Sequence, residues 1–263
     1  MTVDYHSLPG VGGTSLADAL RSPAHYYATH IARTAPRVET PAMRLGTAVH
    51  VATLEPEKWA SQYVVAPECD RRTKVGKATA AAFELESIGK RVISASDAAL
   101  AESIRDAVRA HPAAAGLIAK ASGFEVPLAW TDEESGVACK GKVDMVCRVA
   151  GSTILCDLKT TQNASVRDFA RSIATWSLHA QAAHYMAGWR AITGEVPAAY
   201  VLIAVESTAP HVVATYALDE DTLAAGAEKR ARALEIIARG HETGMWPGYS
   251  DQIETISLPS WAA

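Results

Sequence analysis

Two aspartates and a lysine near the middle of the chain have the types and spacing needed for metal-dependent hydrolysis. Asp157 and Lys159 lie two positions apart, so in a strand their side chains share a face, and Asp144 lies in the preceding predicted strand. Carboxylate oxygens from neighbouring strands suit Mg²⁺ or Mn²⁺, and a nearby ammonium can orient an attacking water at a phosphodiester. A surface salt bridge is the alternative, because an Asp-x-Lys triplet arises by chance about once in a chain of this size.

Three consecutive strands are expected to position this group, because each segment alternates apolar with polar or small residues. Turn-forming residues separate the segments, which predicts an antiparallel meander. Strict alternation would place Val143, Met145 and Cys147 on one face of the second strand and Asp144 on the other. The predicted strands are 124–130, 137–148 and 154–159.

Helical and apolar patterns occupy most of the remaining chain, and they predict an α/β fold: a central mixed sheet flanked by helices, with extra helices at the amino terminus. We expect a single domain over 1–263, mainly helical at 1–115, with the sheet-containing core at 116–263. The predicted helices lie within 14–31 (two short ones) and at 43–54, 78–88, 96–111, 165–192 and 219–239, and further strands lie at 199–206 and 212–218.

Composition excludes several classes of protein. The chain has 263 residues and a formal net charge of −4, so it lacks the overall basic excess of most nucleic-acid binders. No apolar run approaches the roughly 20 residues that span a bilayer, and Met1–Gly10 does not resemble a secretory signal. We therefore expect a cytoplasmic protein without a membrane partner. Reduced thiols are expected at all four cysteines, which are Cys69, Cys139, Cys147 and Cys156.

One segment concentrates positive charge in this slightly acidic chain. Four cations lie in a predicted loop at 69–77, and they could contact a phosphate backbone. A solvated surface loop is the alternative interpretation, and the sequence leaves both open. The cations are Arg71, Arg72, Lys74 and Lys77.

The order of these segments resembles the PD-(D/E)xK nuclease superfamily, and within its RecB-like branch it resembles RecE-type (exonuclease VIII-like) phage and prophage exonucleases. The histidine motif is matched by Gly46–His50, the acidic motifs by Gly141–Asp144 and Asp157–Thr161, and a downstream Gln-x-x-x-Tyr by Gln181–Tyr185. The resemblance extends from about Ser15 to Trp261 and places the nuclease core at 116–263.

The resemblance implies a role for each matching residue. Asp144, Asp157 and Lys159 would be catalytic, and a metal would be held by His50, Asp144, Asp157 and the backbone carbonyl of Leu158. Glu125 would support these ligands from a neighbouring position. Gln181 and Tyr185 share a helix face and would contact substrate or the lysine, with ordinary helix packing as the alternative.

The resemblance also implies an activity. It indicates a Mg²⁺-dependent exonuclease, with Mn²⁺ as a substitute, that digests double-stranded DNA ends from 5′ to 3′ in a bacterial host cell. The remaining 3′ strand would be passed to a RecT-like annealing protein. The enzyme would form a homo-oligomeric ring, commonly a tetramer, whereas related lambda-type exonucleases form trimers, and the sequence leaves the number open. A Cas4/RecB-like end-processing nuclease of other polarity and a catalytically silent DNA-binding module are the alternatives. No iron-sulfur cluster is expected, because every cysteine precedes Lys159.

Overall fold

The computed structural model describes residues 8–35 and 38–259. The segment considered for an export signal lies largely outside the described residues, because residues 1–7 are not among them. The last two residues of the stretch that resembles RecE-type exonucleases, Ser260 and Trp261, also lie outside. The helices are α1 (Gly13–Arg21), α2 (Pro23–Tyr26), α3 (Pro41–Leu54), α4 (Trp59–Gln62), α5 (Lys74–Glu86), α6 (Ala95–Ala110), α7 (Pro112–Ala119), α8 (Val166–Thr175), α9 (Leu178–Thr193) and α10 (Glu220–Thr243). The strands are β1 (Tyr63–Val65), β2 (Arg91–Ile93), β3 (Ala121–Thr131), β4 (Ala138–Val149), β5 (Ser152–Thr161), β6 (Ala199–Glu206) and β7 (Val213–Ala217). A π-helical turn (Tyr27–Ile31) and a 3-10 turn (Pro56–Lys58) complete the set.

A five-stranded sheet with the order β3-β4-β5-β6-β7 forms the centre of the fold. β3, β4 and β5 are successively antiparallel, which confirms the predicted meander. β5 and β6 are parallel, and β7 is antiparallel to β6, so the sheet is mixed as predicted. Asp157 pairs with Leu202 of β6, which places this carboxylate on the central strand of the sheet.

Helices cover both faces of the sheet, as the sequence predicts. On one face α3, α6 and α7 pack against β5 and β6, with Ile104 and Leu158 in the shared apolar cluster. On the other face α8, through Phe169, and α9, through Ala182, join the cluster that contains Leu155 and Tyr200. A third cluster joins α1 and α10 to the first half of β4. Among the described residues, no helix is long and apolar enough to cross a membrane.

Some elements differ from the prediction. The helix predicted at 165–192 is two helices, because Ser177 has a left-handed backbone (φ 53°) that interrupts the run between α8 and α9. Helix α7 was not predicted, since Pro112 was interpreted only as a stop; proline also fits the first turn of a helix, and here His111 Nδ1 accepts from the Ala114 N–H. β1 and β2, each of three residues, form a separate parallel pair too short to give a pattern.

The predicted basic loop at 69–77 is wrong over its second half. The Thr73 hydroxyl accepts a hydrogen bond from the Gly76 N–H at 2.9 Å, so Thr73 caps α5 and the helix begins at Lys74. Arg71 and Arg72 remain in the turn before the cap. Lys74 and Lys77 lie in the first helical turn, and all four cations are exposed.

Strand β4 changes face near its middle, which strict alternation does not predict. Val143 packs in the cluster that contains Leu155, whereas Met145 and Cys147 pack in the cluster on the opposite face of the sheet. The prediction that these three residues share a face is therefore wrong. The change occurs around Asp144, whose two neighbours are both buried but pack in different clusters.

Candidate active site

Helix α3 brings His50 to the sheet. The Thr40 hydroxyl caps the helix by accepting from the Met43 N–H, Pro41 occupies the first turn, and the buried face packs on the core through residues such as Val49. His50 lies beside this face with its side chain 24% exposed. Its Nε2 lies 2.5 Å from the Leu158 carbonyl oxygen, so the predicted histidine and the predicted carbonyl ligand meet.

Asp144 lies on the other side of the same imidazole. Its Oδ2 is 3.4 Å from His50 Nδ1 and accepts a hydrogen bond from the Leu158 N–H at 2.9 Å. The backbone of β5 therefore fixes the carboxylate of β4, while the Leu158 carbonyl contacts His50. Residues from one helix and two strands converge, as the sequence predicts.

Glu125 joins this group, near the ligands that it was predicted to support. Its Oε1 lies 3.8 Å from His50 Nδ1, and its Oε2 forms an ion pair with Lys142. Glu125 has a left-handed backbone with φ 51°, and it lies between the register pairs Phe124 with Met145 and Val126 with Val143. No periodicity in a sequence reveals such a residue in a strand. One ligand atom each of His50, Glu125 and Asp144 lies within 4.8 Å of the others.

Asp157 and Lys159 form the second half of the site. Lys159 Nζ lies 2.6 Å from Asp157 Oδ2, and the aspartate side chain is 1% exposed. The Lys159 ammonium is therefore the charged partner of a carboxylate that is almost completely shielded from solvent. Asp157 does not belong to the group formed by His50, Glu125 and Asp144. Its negative charge nevertheless helps to raise the pKa of both His50 and Asp144.

The acidic surroundings shift the titration of the histidine and the glutamate. Burial alone would lower the pKa of His50, but Asp144 and Glu125 raise it to about 9. Burial alone would raise the pKa of Glu125, and contacts with His50 and Lys142 lower it to about 2. Without a metal, an imidazolium therefore lies among the carboxylates.

Burial and neighbouring charges also shift the pKa values of Asp144 and Lys159. Burial raises the pKa of Asp144, and the positive charge of His50 opposes that effect. Burial would lower the pKa of Lys159, whereas Asp157 and Asp144 raise it above its usual value. The site is therefore a buried set of carboxylates that favours positive charge.

This donor set fits a divalent cation. Carboxylate oxygens and a backbone carbonyl are hard ligands suited to Mg²⁺ and Mn²⁺, and one imidazole is compatible with Mn²⁺. The buried carboxylate of Asp157, beside the Lys159 ammonium, is a further candidate ligand. The predicted ligands that meet here are His50, Asp144 and the Leu158 carbonyl, and Glu125, which was predicted only to support them, is an additional candidate ligand.

Gln181 and Tyr185 lie on α9 and contact each other. Gln181 Nε2 donates to Tyr185 Oη at 3.1 Å, which confirms that they share a helix face. A side chain at Gly13 would meet Gln181, and one at Gly141 would meet the Tyr185 ring. Their positions are thus compatible with helix packing, and contact with substrate stays a prediction.

The cysteines and the basic segment at 69–77 do not belong to the candidate active site. Cys139, Cys147 and Cys156 are buried in the core, as predicted, and all four cysteines are free thiols. Arg72 forms an ion pair with Asp70 and not with a site residue. The role of the basic segment in DNA contact also stays a prediction.

The sequence matches a known family over almost its whole length. Residues 13–259 match the family described as a PDDEXK-like domain of unknown function (DUF3799), and the chain belongs to this family. No match was found among curated proteins.

A solved structure has the same fold. A crystal structure from Eubacterium rectale, described as a "Putative exonuclease", aligns with a TM-score of 0.60 and 13% identity over 98% of this chain and 96% of that chain. A second structure, SSO0001, aligns over 42% of this chain and 49% of that chain at 18% identity, with a TM-score of 0.27. The predicted fold class is confirmed. Family and fold together support a nuclease, and a PD-(D/E)xK nuclease fold implies a divalent metal.

Proposed function

We propose that this member of the PDDEXK-like family is a Mg²⁺-dependent exonuclease that digests double-stranded DNA from 5′ to 3′ and leaves 3′ single strands for recombination. The observation that carries the proposal is the convergence of His50, Asp144 and the Leu158 carbonyl beside the Asp157–Lys159 pair. The similarity of the sequence motifs to RecE-type exonucleases supports the polarity.

Each residue has a distinct role in the proposed reaction. His50, Glu125, Asp144, Asp157 and the Leu158 carbonyl would hold Mg²⁺, or Mn²⁺ in its place. When bound, the cation would activate water and stabilise charge on the scissile phosphate.

Lys159 would act on the attacking water. The carboxylates of Asp157 and Asp144 keep its ammonium protonated by raising its pKa. Lys159 can therefore donate a hydrogen bond to the water oxygen and stabilise the negative charge that develops there. Asp157 fixes the direction of the ammonium through their contact at 2.6 Å.

The proposed partners follow from the same resemblance. They are double-stranded DNA ends, a RecT-like annealing protein and further copies of this chain in a ring, commonly a tetramer, in the cytoplasm of a bacterial host. Arg71, Arg72, Lys74 and Lys77 would contact the DNA backbone, and Gln181 and Tyr185 would contact the substrate near the site. A net acidic protein can bind DNA in this way if its cations face the DNA path.

The experiment that tests the activity compares a linear duplex with a covalently closed circle of the same sequence, in Mg²⁺ and in EDTA. We expect degradation of the linear duplex in Mg²⁺ only, an intact circle, and no degradation by Asp157→Asn. Cleavage of the circle would identify an endonuclease. DNA binding without hydrolysis in Mg²⁺ or Mn²⁺ would identify a catalytically silent module.

A further inference from the structure

The two oxygens of the Glu125 carboxylate face different groups. Oε2 forms an ion pair with Lys142, while Oε1 lies 3.8 Å from His50 Nδ1 on the side of Asp144. Both partners of the ion pair are partly shielded, with 34% of the Lys142 side chain and 16% of the Glu125 side chain exposed. The lysine therefore contacts a different oxygen of Glu125 from the one that pairs with His50.

The backbone gives a reason for this contact. Glu125 has φ 51° within β3, a left-handed conformation that is unfavourable for a residue with a Cβ. Such a residue persists only where its surroundings fix it. Lys142 lies on the paired strand, opposite Pro127 and two positions before Asp144, so β4 carries both a metal-ligand candidate and the cation that holds Glu125.

We propose that Lys142 is a positioning residue of the metal site: it holds Glu125 by one oxygen so that the other is available to the cation bound by His50 and Asp144. This inference rests on the proposed function, because it takes Glu125 as a ligand of the divalent metal. Residues that hydrogen-bond to metal ligands typically change metal affinity 10- to 100-fold when they are replaced.

Two other roles for Lys142 predict different results. As a mere positive charge near the metal, it would repel the cation, so its neutralisation would tighten metal binding. As a contact to the DNA backbone, it would leave metal binding unchanged and lower the salt dependence of DNA binding. The sign of the change in metal affinity therefore separates the three roles.

The test measures Mn²⁺ binding to the purified protein without DNA, by the electron paramagnetic resonance signal of free Mn²⁺. We expect Lys142→Met to weaken binding about tenfold. In a Glu125→Gln background the same replacement should weaken binding no further, because the carboxylate that Lys142 positions is already lost. Lys142→Arg should restore most of the affinity, since it can still donate to Oε2.

Arg148→Gln is the matched control, because it removes a cation from the same strand that also pairs with a glutamate, Glu195. It should leave Mn²⁺ affinity unchanged. Circular dichroism and thermal unfolding would establish that each variant is folded, and Lys142→Gln, which also removes the positive charge, carries the test if Lys142→Met is not folded.

Three results would overturn the proposal. They are tighter or unchanged binding by Lys142→Met, equal weakening in the parent and Glu125→Gln backgrounds, and loss of affinity in Lys142→Arg equal to that in Lys142→Met. If the unaltered chain binds no Mn²⁺, the metal site itself is wrong, and the role of Lys142 fails with it. Binding by the unaltered chain with no effect of Lys142→Met contradicts the role of Lys142 alone.

Discussion

His50 and Leu158 are separated by 108 positions in the chain, yet the imidazole Nε2 lies 2.5 Å from the Leu158 carbonyl oxygen. Packing of α3 against the sheet makes this contact, and it places the imidazole between that carbonyl and Asp144. Without metal, the positively charged histidine thus lies among the oxygens that would hold a divalent cation. Metal binding and the protonation of His50 are therefore coupled.

That coupling predicts proton release. The pKa of His50 is raised to about 9 in the metal-free protein, so at pH 7.5 the imidazole is charged, and it must lose a proton before it can ligate. We expect Mn²⁺ binding at pH 7.5 to release about one proton, and Mn²⁺ affinity to rise with pH until about pH 9. Calorimetry in buffers of different ionisation enthalpy measures the release. His50→Gln should release fewer protons than the parent, although Asp144, whose pKa is raised by burial and no longer lowered by His50, can still release part of one. Equal release by parent and variant would show that His50 is not a ligand.

Asp157 and Lys159 are expected to be needed for hydrolysis and not for folding. Asp157→Asn keeps the shape of the side chain but removes the charge that would hold a hard cation, and Lys159→Met removes the ammonium. We expect both variants to unfold cooperatively and to lose at least about a hundredfold in turnover of linear duplex DNA in Mg²⁺, the low end of typical acid–base and electrostatic contributions. Near-parental turnover by either folded variant contradicts the assigned site.

Helix α9 and strand β3 lie so close together that alanine should have opposite effects on the free energy of unfolding at two glycines. A methyl group at Gly188 would lie 2.6 Å from the Trp130 ring, whereas one at Gly116 in α7 would meet nothing within 4 Å. We expect Gly188→Ala to lower the free energy of unfolding by about 1–3 kcal/mol through overpacking. Gly116→Ala should raise it by about 0.5–1 kcal/mol, because alanine favours a helix. Urea unfolding measures both, and equal effects would show that α9 does not lie this close to Trp130.

The basic segment is expected to act on DNA affinity. Lys74 and Lys77 lie three positions apart in the first turn of α5, so they share an exposed face. If both contact phosphates, alanine at both positions should make the dependence of DNA affinity on salt less steep. The slope of the logarithm of the binding constant against the logarithm of the salt concentration should fall in magnitude by about 0.9 per lost contact. Alanine at Arg105 and Lys120 removes the same charge elsewhere and is the control. An unchanged slope in the Lys74 and Lys77 variant would identify the segment as a solvated surface.

The sequence predicts the parts of the site that depend on regular structure. Alternation in β5 places Asp157 and Lys159 on one strand face, and the four-residue spacing in α9 lets Gln181 hydrogen-bond to Tyr185. The helix that carries His50 was also predicted. Periodicity predicts which residues share a face within one helix or strand. The resemblance to RecE-type exonucleases predicted which helix and strands would contribute residues to the same site.

Irregular backbone accounts for most of what the sequence did not predict. The left-handed conformation of Glu125 brings its carboxylate to His50, and the change of face at Asp144 separates Val143 from Met145. The left-handed backbone of Ser177 likewise interrupts the run that was predicted as one helix. These conformations arise from tertiary packing, so patterns with a fixed period cannot reveal them.

The polarity of digestion of a linear duplex is the most direct test of the proposed function. A blunt duplex labelled at either the 5′ or the 3′ end is digested in Mg²⁺, with Asp157→Asn and EDTA as controls. We predict that the 5′ label is released as short products at once, whereas the 3′ label stays on long single strands. Early release of the 3′ label, or no release of either label in Mg²⁺, would contradict a 5′ to 3′ exonuclease.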